Sequence, residues 1–439
     1  MSIIERLTQR RVAQRTKSFP GWRIAAVCAA INGIGAGIQF YGFSVFFKPM
    51  TEDFGWTRTQ TSGAFSLSRL EGGFEGPIAG WLIDRIGPKR ILLIGITIMG
   101  LGYILLYFVN SLLMFYLVYA GVLSLGYNIG FGNAGNAVVA KWFVKKRGRA
   151  FSYMALGAGI GGSIITPVLG FAIGSAGWRL TALFAGFALW LICLPLAASI
   201  RNAPEEMGLL PDGEAPQKGA APAAAAESVA IADADPEISY TVKEALRTST
   251  FWVFVLALSF RSFILSSLVV HQIPYLTDMG ISKGVASGIL GLMVLISIPG
   301  RLLFGWLGDI FSKRHLIVVC SLLQAIGIFI FANAAGLAMV WPFLVIYGFG
   351  YGGSISLTPA FRADLFGRQY FATIGGITMP LTTLGTISGP VLAGYIYDVS
   401  GSYRLAFYIF VALVLCSAIT FLFVRKPKPP ARVRAAATA

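Results

Sequence analysis

Charge is what this 439-residue chain has least of: Asp, Glu, Lys and Arg together make up 12% of it, about half the share of an ordinary soluble domain. So few charges cannot cover the surface of a water-soluble enzyme of this length. Histidine is nearly absent, with only His271 and His315. The four cysteines, Cys28, Cys193, Cys320 and Cys416, stand singly in apolar stretches with no C-x-x-C pair. Neither a metal centre nor a disulfide framework has the spacing it needs, so no metal and no cofactor is expected. The chain has no G-x-x-x-x-G-K-[ST] phosphate loop, which speaks against an ATP-driven pump. No Ser/His/Asp set is recognisable either, and enzymatic turnover is not expected.

What is there is apolar. The chain is 56% hydrophobic and 13% aromatic, with 52 glycines and a mean hydropathy of +0.72. A spanning helix needs ~20 apolar residues. Runs bounded by charge or Pro/Gly place spans at 22–47, 59–83, 91–109, 111–140, 150–174 and 178–199, and again at 249–275, 283–308, 315–334, 338–363, 370–397 and 403–425. Isolated strands could not satisfy their backbone in lipid, so the spans must be helical. The expectation is an all-α membrane protein with twelve transmembrane helices.

The net charge of +16 would suggest nucleic acid in a soluble protein, but its distribution argues otherwise. Of the 35 Lys and Arg, five (Lys48, Arg58, Arg179, Lys283 and Arg404) fall on one set of alternate connections. Arg69, Arg261 and Arg301 fall inside spans, and all the rest lie on the other set. That is the positive-inside pattern, which also attracts anionic lipid headgroups. It puts both termini, with Arg6, Arg10, Arg11 and Arg15 at one and Arg425, Lys426 and Lys428 at the other, on the cytoplasmic side of an inner or plasma membrane. The chain then divides into a tail (1–21), a six-helix bundle (22–199), a linker (200–248), a second bundle (249–425) and a tail (426–439). Residues 203–239, rich in Ala, Pro and Gly and carrying acids, read as a flexible tether. YTVKEALRT at 240–248 reads as a short amphipathic helix.

The halves repeat. GWLIDRIGPKR at 80–90 follows the second span and GWLGDIFSKRH at 305–315 follows the eighth, so Trp81 matches Trp306 and Asp84 matches Asp309. Trp178-Arg179 and Tyr403-Arg404 match at the same offset. Two such units are expected to meet around a central cavity with substrate near the midplane. The first copy, with Gly80, Asp84, Arg85, Gly87 and Lys89, fits G-x-x-x-D-R-x-G-x-[RK], the inner-loop signature of the major facilitator superfamily, which the chain resembles over all but its tails and linker. The second copy keeps Gly305 and Asp309 but has Ile310 in place of the arginine. The resemblance implies a conformational role for these residues: an inter-helix charge latch favouring the outward-open state, with the basic run Lys145, Lys146, Arg147 and Arg149 on the same side.

Ionisable groups at mid-membrane are costly and mark a pathway or a partner. In span two, Glu71 and Glu75 lie one turn apart on a shared face, with Arg69 roughly opposite. Like charge and burial both favour a neutral carboxyl. One glutamate therefore either carries a proton or belongs to a static network with a cation. In span eight Arg301 lies too deep to snorkel with ease, and its planar guanidinium suits a carboxylate. It either binds a substrate anion or pairs with Glu71 or Glu75. Arg261 in span seven is either a second cavity cation or a partner for those glutamates. His271 near the outer end of that span is either a proton gate or a hydrogen-bonded structural group. Tyr127 and Asn128 in span four and Tyr351 in span ten are candidate pocket residues, with Asn133 and Asn136 nearer the inside.

The segment GRLLFGWLGD (300–309) and the span-one stretch INGIGAGIQFYGFSVFFKPM (31–50) are similar to the monocarboxylate transporter and oxalate–formate antiporter branch. That resemblance implies that Arg301 is the substrate-binding arginine. It departs from the animal carriers in two places: Ser297 stands one turn before Arg301 where they have an acid, and no lysine lies near Tyr41. The expected function is a secondary active transporter moving a small monocarboxylate together with a proton, as a monomer. A carboxylate exchanger of the oxalate–formate type and a proton–drug antiporter remain alternatives. Span eleven contains no Lys or Arg, which weighs against the second cation used by oxalate-type exchangers.

Overall fold

The computed structural model describes residues 19–56, 58–213 and 238–433, apart from a few side chains within 44–66 and 283–287. The Arg6–Arg15 tail and most of the 203–239 tether lie outside the described residues. The described part is helical throughout, with twelve spans.

In the first half, α1 comprises Gly21–Gly35, a π-helical stretch Ala36–Tyr41 and Phe43–Phe54. α2 is Arg58–Ile86 and α3 Pro88–Tyr107. α4 runs through Leu112–Tyr116, two π-helical stretches (Leu117–Ser124 and Tyr127–Gly132) and Asn133–Trp142. α5 and α6 share the continuous stretch Arg147–Ala188, broken at Gly177, whose φ of +79° needs glycine. α6 ends with Leu189–Cys193 and Leu194–Ser199. The second half holds α7 (Ser249–Asp278), α8 (Lys283–Leu307), α9 (Lys313–Ala332), α10 (Leu337–Phe366), α11 (Phe371–Ser400) and α12 (Arg404–Phe423). Thr241 and Glu244 form a capping box over Val242–Leu246, the short helix expected before span seven.

Among the described residues nine helical stretches are long and apolar enough to cross a membrane unaided; Arg147–Ser199, which holds both α5 and α6, is one of them. α2 and α11 do not qualify: α2 carries Arg69, Glu71, Glu75 and Asp84, and α11 is rich in Gly and Thr, and the two pack on each other across the halves. Their seam is built on glycine. A Cβ at Gly73 would press on Thr383, one at Gly76 on Met379, and one at Gly80 would run into the Ala372 carbonyl. The second seam joins α5 to α8, where Gly148 and Gly305 face each other. Small residues let backbones approach this closely, which replaces the missing hydrophobic drive between helices in lipid.

Residues 204–213 are not free chain. They form two 3-10 turns, Pro204–Met207 and Pro211–Gly213. The Asp212 carboxylate accepts from the backbone N–H groups of Val144 (2.9 Å), Lys145 (2.7 Å) and Lys146 (3.2 Å). Glu205 pairs with Arg368 at 2.7 Å, and Arg368 also donates to the Lys141 carbonyl at 3.0 Å. Composition showed only a run of acids; it could not show that two of them meet donors on the α4–α5 and α10–α11 turns. At the other end of the chain Arg432 Nε donates to Glu244 at 3.0 Å, and Tyr240 donates to the Pro427 carbonyl at 2.8 Å. Burial pushes the Glu244 carboxyl up, but the bonds from Arg432 and Thr241 outweigh it and hold it below the usual carboxylate range.

Candidate functional site

At the inner end of the bundle, the end carrying Asp84 and Asp309, the two halves are closed on each other. Asp84, at the last turn of α2, accepts from the Thr373 N–H and hydroxyl, both at 2.7 Å, at the start of α11. Asp309, just past α8, accepts from the Gly148 N–H at 2.7 Å and from Arg149 Nε at 2.7 Å at the start of α5. Each acid thus sits on the N-terminus of a helix in the other half, where free N–H groups and the helix dipole favour negative charge. The resemblance implies an inter-helix charge latch here, with the basic run at 145–149 on the same side as Asp84. That run meets acids on the second half and the linker: Arg147 bonds Asp364 at 3.3 Å, Arg149 bonds Asp309, and Asp212 takes the backbone. Gly80 admits the Ala372 backbone. Gly87, at φ +100°, makes the turn into α3. Arg85 lies over the Trp81 ring of its own helix, 4.9 Å from the centroid. Arg362, 4.1 Å over the Phe371 ring, is an inner-end cation that sequence reasoning passed over.

At mid-depth Arg301 is 3% exposed. Its Nη1 donates to the Ala155 carbonyl of α5, in the other half, and its own carbonyl accepts from Ser152 Oγ at 2.7 Å. Its Nε is buried with no hydrogen-bond partner. Among the described residues no carboxylate lies within ion-pair distance of it, so the alternative pairing with Glu71 or Glu75 is not formed. Glycine clears the space around it: a Cβ at Gly159 would lie 3.3 Å from Nη1, and one at Gly352 would lie 3.0 Å from the Arg301 backbone nitrogen.

Tyr41 and Tyr351 both lie within electrostatic reach of Arg301, and Tyr127 is within reach of Tyr41. The structure therefore gathers Tyr127, Tyr351 and Arg301 around Tyr41, a residue the sequence reading left out. Its signal was local. Tyr41 ends a π-helical stretch, a conformation frequent at functional sites. Tyr351 stacks on Tyr347 with centroids 6.1 Å apart.

Of the other candidates, Arg261 is within electrostatic reach of Tyr351 and Arg69 within reach of Tyr127. Arg261 Nη1 donates to Thr358 Oγ1 at 2.6 Å and to the Ser354 carbonyl at 3.3 Å, both on α10; it does not pair with the span-two glutamates. Arg69 is exposed, with its guanidinium 4.4 Å over Phe40. Asn128 Nδ2 donates to Glu75 Oε2 and to Ser124 Oγ, both at 3.0 Å. Glu71 Oε2 is buried without a partner. Asn133 reaches Met379 Sδ, and Asn136 bonds the Gly132 carbonyl in its own helix. His271 lies between α7, α11 and α12, its Nε2 2.9 Å from the Pro390 carbonyl and its Nδ1 3.2 Å from the Tyr403 hydroxyl. Both ring nitrogens are engaged, as a structural histidine requires. Among the described residues no group of three or more His, Cys, Asp or Glu could hold a metal.

The family model for the Major Facilitator Superfamily matches residues 26–382 and 273–439. Mouse monocarboxylate transporter 12 is 25% identical over 421 residues, covering 92% of this chain and 85% of the relative. The oxalate:formate antiporter of Oxalobacter formigenes is 25% identical over 415 residues, covering 93% of each. Among solved structures, the human organic anion transporter MFSD10 (TETRAN) superposes with a TM-score of 0.68 at 14% identity, covering 92% of this chain and 100% of that one. FucP in its outward conformation gives 0.67 at 16% identity, covering 92% and 98%. The motif, the paired bundles and these matches agree: the chain belongs to the major facilitator superfamily and is a multi-pass membrane transporter, not an enzyme.

Proposed function

We propose that this transporter moves small carboxylates, that Arg301 binds the carboxylate, and that the preferred cargo is a short monocarboxylate of the lactate or pyruvate type carried with a proton. The observation that carries this reading is the buried Arg301 guanidinium with an unpartnered Nε. A bare cation at the centre of a membrane helix costs about 3 kcal/mol or more. Retaining one with only neutral acceptors makes sense where an anion completes it in use. Tyr41, Tyr127 and Tyr351 would enclose the apolar body and donate to the carboxylate. The monocarboxylate and oxalate:formate carriers among the relatives support the class of cargo.

Closure at the inner end leaves the outer side for entry; the inner end is taken as cytoplasmic, with both termini there and the plasma or inner membrane around the bundle. Arg301 also spans the seam through the Ala155 carbonyl. A carboxylate taking the guanidinium would compete with that bond and loosen α5 from α8, which is a direct route from occupancy to rocking of the halves. A proton carried with the anion removes the net charge, and with it the work against the membrane potential. A binding screen of lactate, pyruvate, formate and oxalate on purified protein tests the reading; binding of lipophilic cations in place of acids would overturn it.

One observation favours the exchanger reading. Arg261 is a second mid-depth cation with neutral partners, and Tyr351 is within reach of both it and Arg301. Oxalate outcompeting lactate in the screen would select that alternative.

A further inference from the structure

We infer that Asn128 is the residue that couples proton binding at Glu75 to the substrate pocket, through the π-helical turn it shares with Tyr127. The inference rests on the proton-coupled reading above and names how the two sites communicate.

The glutamates and the pocket do not touch. Glu75 projects from α2 roughly 120° around the helix from Arg69, on the flank that packs against α4. Gly72 and Glu75 both meet Asn128 there. The groups facing Glu75 are few. On its own helix they are Glu71, one turn away with a buried, unpartnered oxygen, and Arg69 on a different face. On α4 they are Asn128 and Ser124, whose hydroxyl is anchored to the Ser68 carbonyl at 3.1 Å. α11, packed on the glycine face of α2, carries no charged residue between 371 and 397, and α3 none between 91 and 109.

Among the described residues Asn128 therefore links the Glu75 carboxylate directly to α4, and its neighbour in sequence is Tyr127. Both lie in the π-helical stretch Tyr127–Gly132, with Tyr127 stacked on Phe131 at 5.9 Å. A π-turn holds one residue more than an α-turn, and losing it rotates one side of the helix against the other by about 100°. A hydrogen bond to a carboxylate is roughly twice as strong as one to its neutral form. With Glu75 ionised, Asn128 is held and the π-turn is pinned with Tyr127 in place. A proton arriving from the water on the open side and settling on a Glu75 oxygen weakens that hold. The turn can then repack and move Tyr127 with respect to Tyr41 and Arg301. Asn128 acts through Glu75 and Tyr127 and is a positioning residue; it makes no contact with the cargo.

The test uses full-length protein in proteoliposomes with labelled lactate as the probe. Two activities are measured: accumulation driven by an imposed pH gradient, and exchange against internal unlabelled lactate at equal pH. Asn128→Ala is expected to bring the accumulation ratio down to about one. Exchange should stay within about twofold of wild type, and the pH dependence of its apparent KM should flatten. Glu75→Gln should behave the same way. Gradient-driven accumulation that survives in folded Asn128→Ala overturns the inference and leaves proton coupling standing. Loss of exchange as well, in protein with unchanged thermal stability, also overturns it by placing Asn128 in the pocket. Wild-type protein that exchanges lactate but never accumulates it overturns the proton-coupled reading itself.

Discussion

Asp84 and Asp309 stand at equivalent places in the two halves, and each caps a helix belonging to the half it is not in: Asp84 sits on Thr373 at the start of α11, Asp309 on Gly148 at the start of α5. The pair closes the inner end with approximate two-fold symmetry, and both bonds must break before the cavity can open inward. Replacing either acid by asparagine should therefore favour the inward-open form. Losing the charge from these hydrogen bonds amounts to about 2 kcal/mol, roughly a thirtyfold shift in population. A cysteine at Ala372, buried at the seam in this structure, reports it in a background without other cysteines. Labelling by an impermeant thiol reagent from the inner side should rise in Asp84→Asn. Unchanged labelling would mean that Asp84 is only a solvated turn residue.

The glycine seam makes a separate prediction. A Cβ at Gly305 would strike Ser152 Oγ, and one at Gly148 the Gly305 carbonyl. Gly305→Val should hold the inner end apart whatever the state of Asp309. The same cysteine should label strongly, and transport should fall at least tenfold while the protein still folds, since the strain is relieved by opening. Tight inner closure in Gly305→Val would contradict the seam.

The linker has two parts with different weight. Removing residues from 214–237 should leave thermal stability untouched. Asp212→Ala should lower it by the equivalent of about 1–2 kcal/mol, because three backbone N–H groups before α5 lose their acceptor. Melting curves of the two variants in detergent decide the matter; equal curves would return 204–213 to the status of plain tether.

The Glu244–Arg432 contact gives a pH prediction. The Glu244 carboxyl is held below its ordinary range, so docking of the C-terminal tail is favoured once the unfolded-state carboxyl has ionised. It is lost as pH falls through the lowered value. Protease sensitivity of residues near Arg432 should rise on acidification, and Glu244→Gln should show it already at neutral pH. An acid-independent cleavage rate would remove the electrostatic clasp.

Much of this was legible in the sequence, and the reasons differ by residue. Twelve spans follow from apolar length, since lipid leaves the backbone only the helix. Asp84 and Asp309 announce themselves by an internal repeat, although the pattern could not say that both sit on helix N-termini of the other half, nor that Arg149 joins Asp309 and not Asp84. Arg301 stood out because a cation at that depth needs a reason. The glutamates were harder. Spacing placed Glu71 and Glu75 on one face, but which helix that face meets is tertiary, and it was Asn128 of α4 rather than Arg261. Tyr41 and Asn128 turn on π-helical segments of α1 and α4, which shift side chains by a residue and are invisible to a 3.6-residue pattern. In sequence His271 reads equally as a proton gate or a hydrogen-bonded structural group; the contacts of its two nitrogens with Pro390 and Tyr403 are tertiary and show only in the fold. His271→Gln should accordingly lower the melting temperature while leaving lactate affinity within about twofold, whereas a large affinity loss would return it to the substrate path.

The central claim is that the Arg301 guanidinium receives the carboxylate, and calorimetric titration of purified protein with lactate tests it most directly. Wild-type protein should bind. Arg301→Lys should bind at least tenfold more weakly, because the ammonium keeps the charge without the planar pair of donors. Arg301→Ala should lose the equivalent of about 2–5 kcal/mol, more than thirtyfold in Kd, with its fold intact by melting temperature. Wild-type affinity in Arg301→Ala would contradict the account.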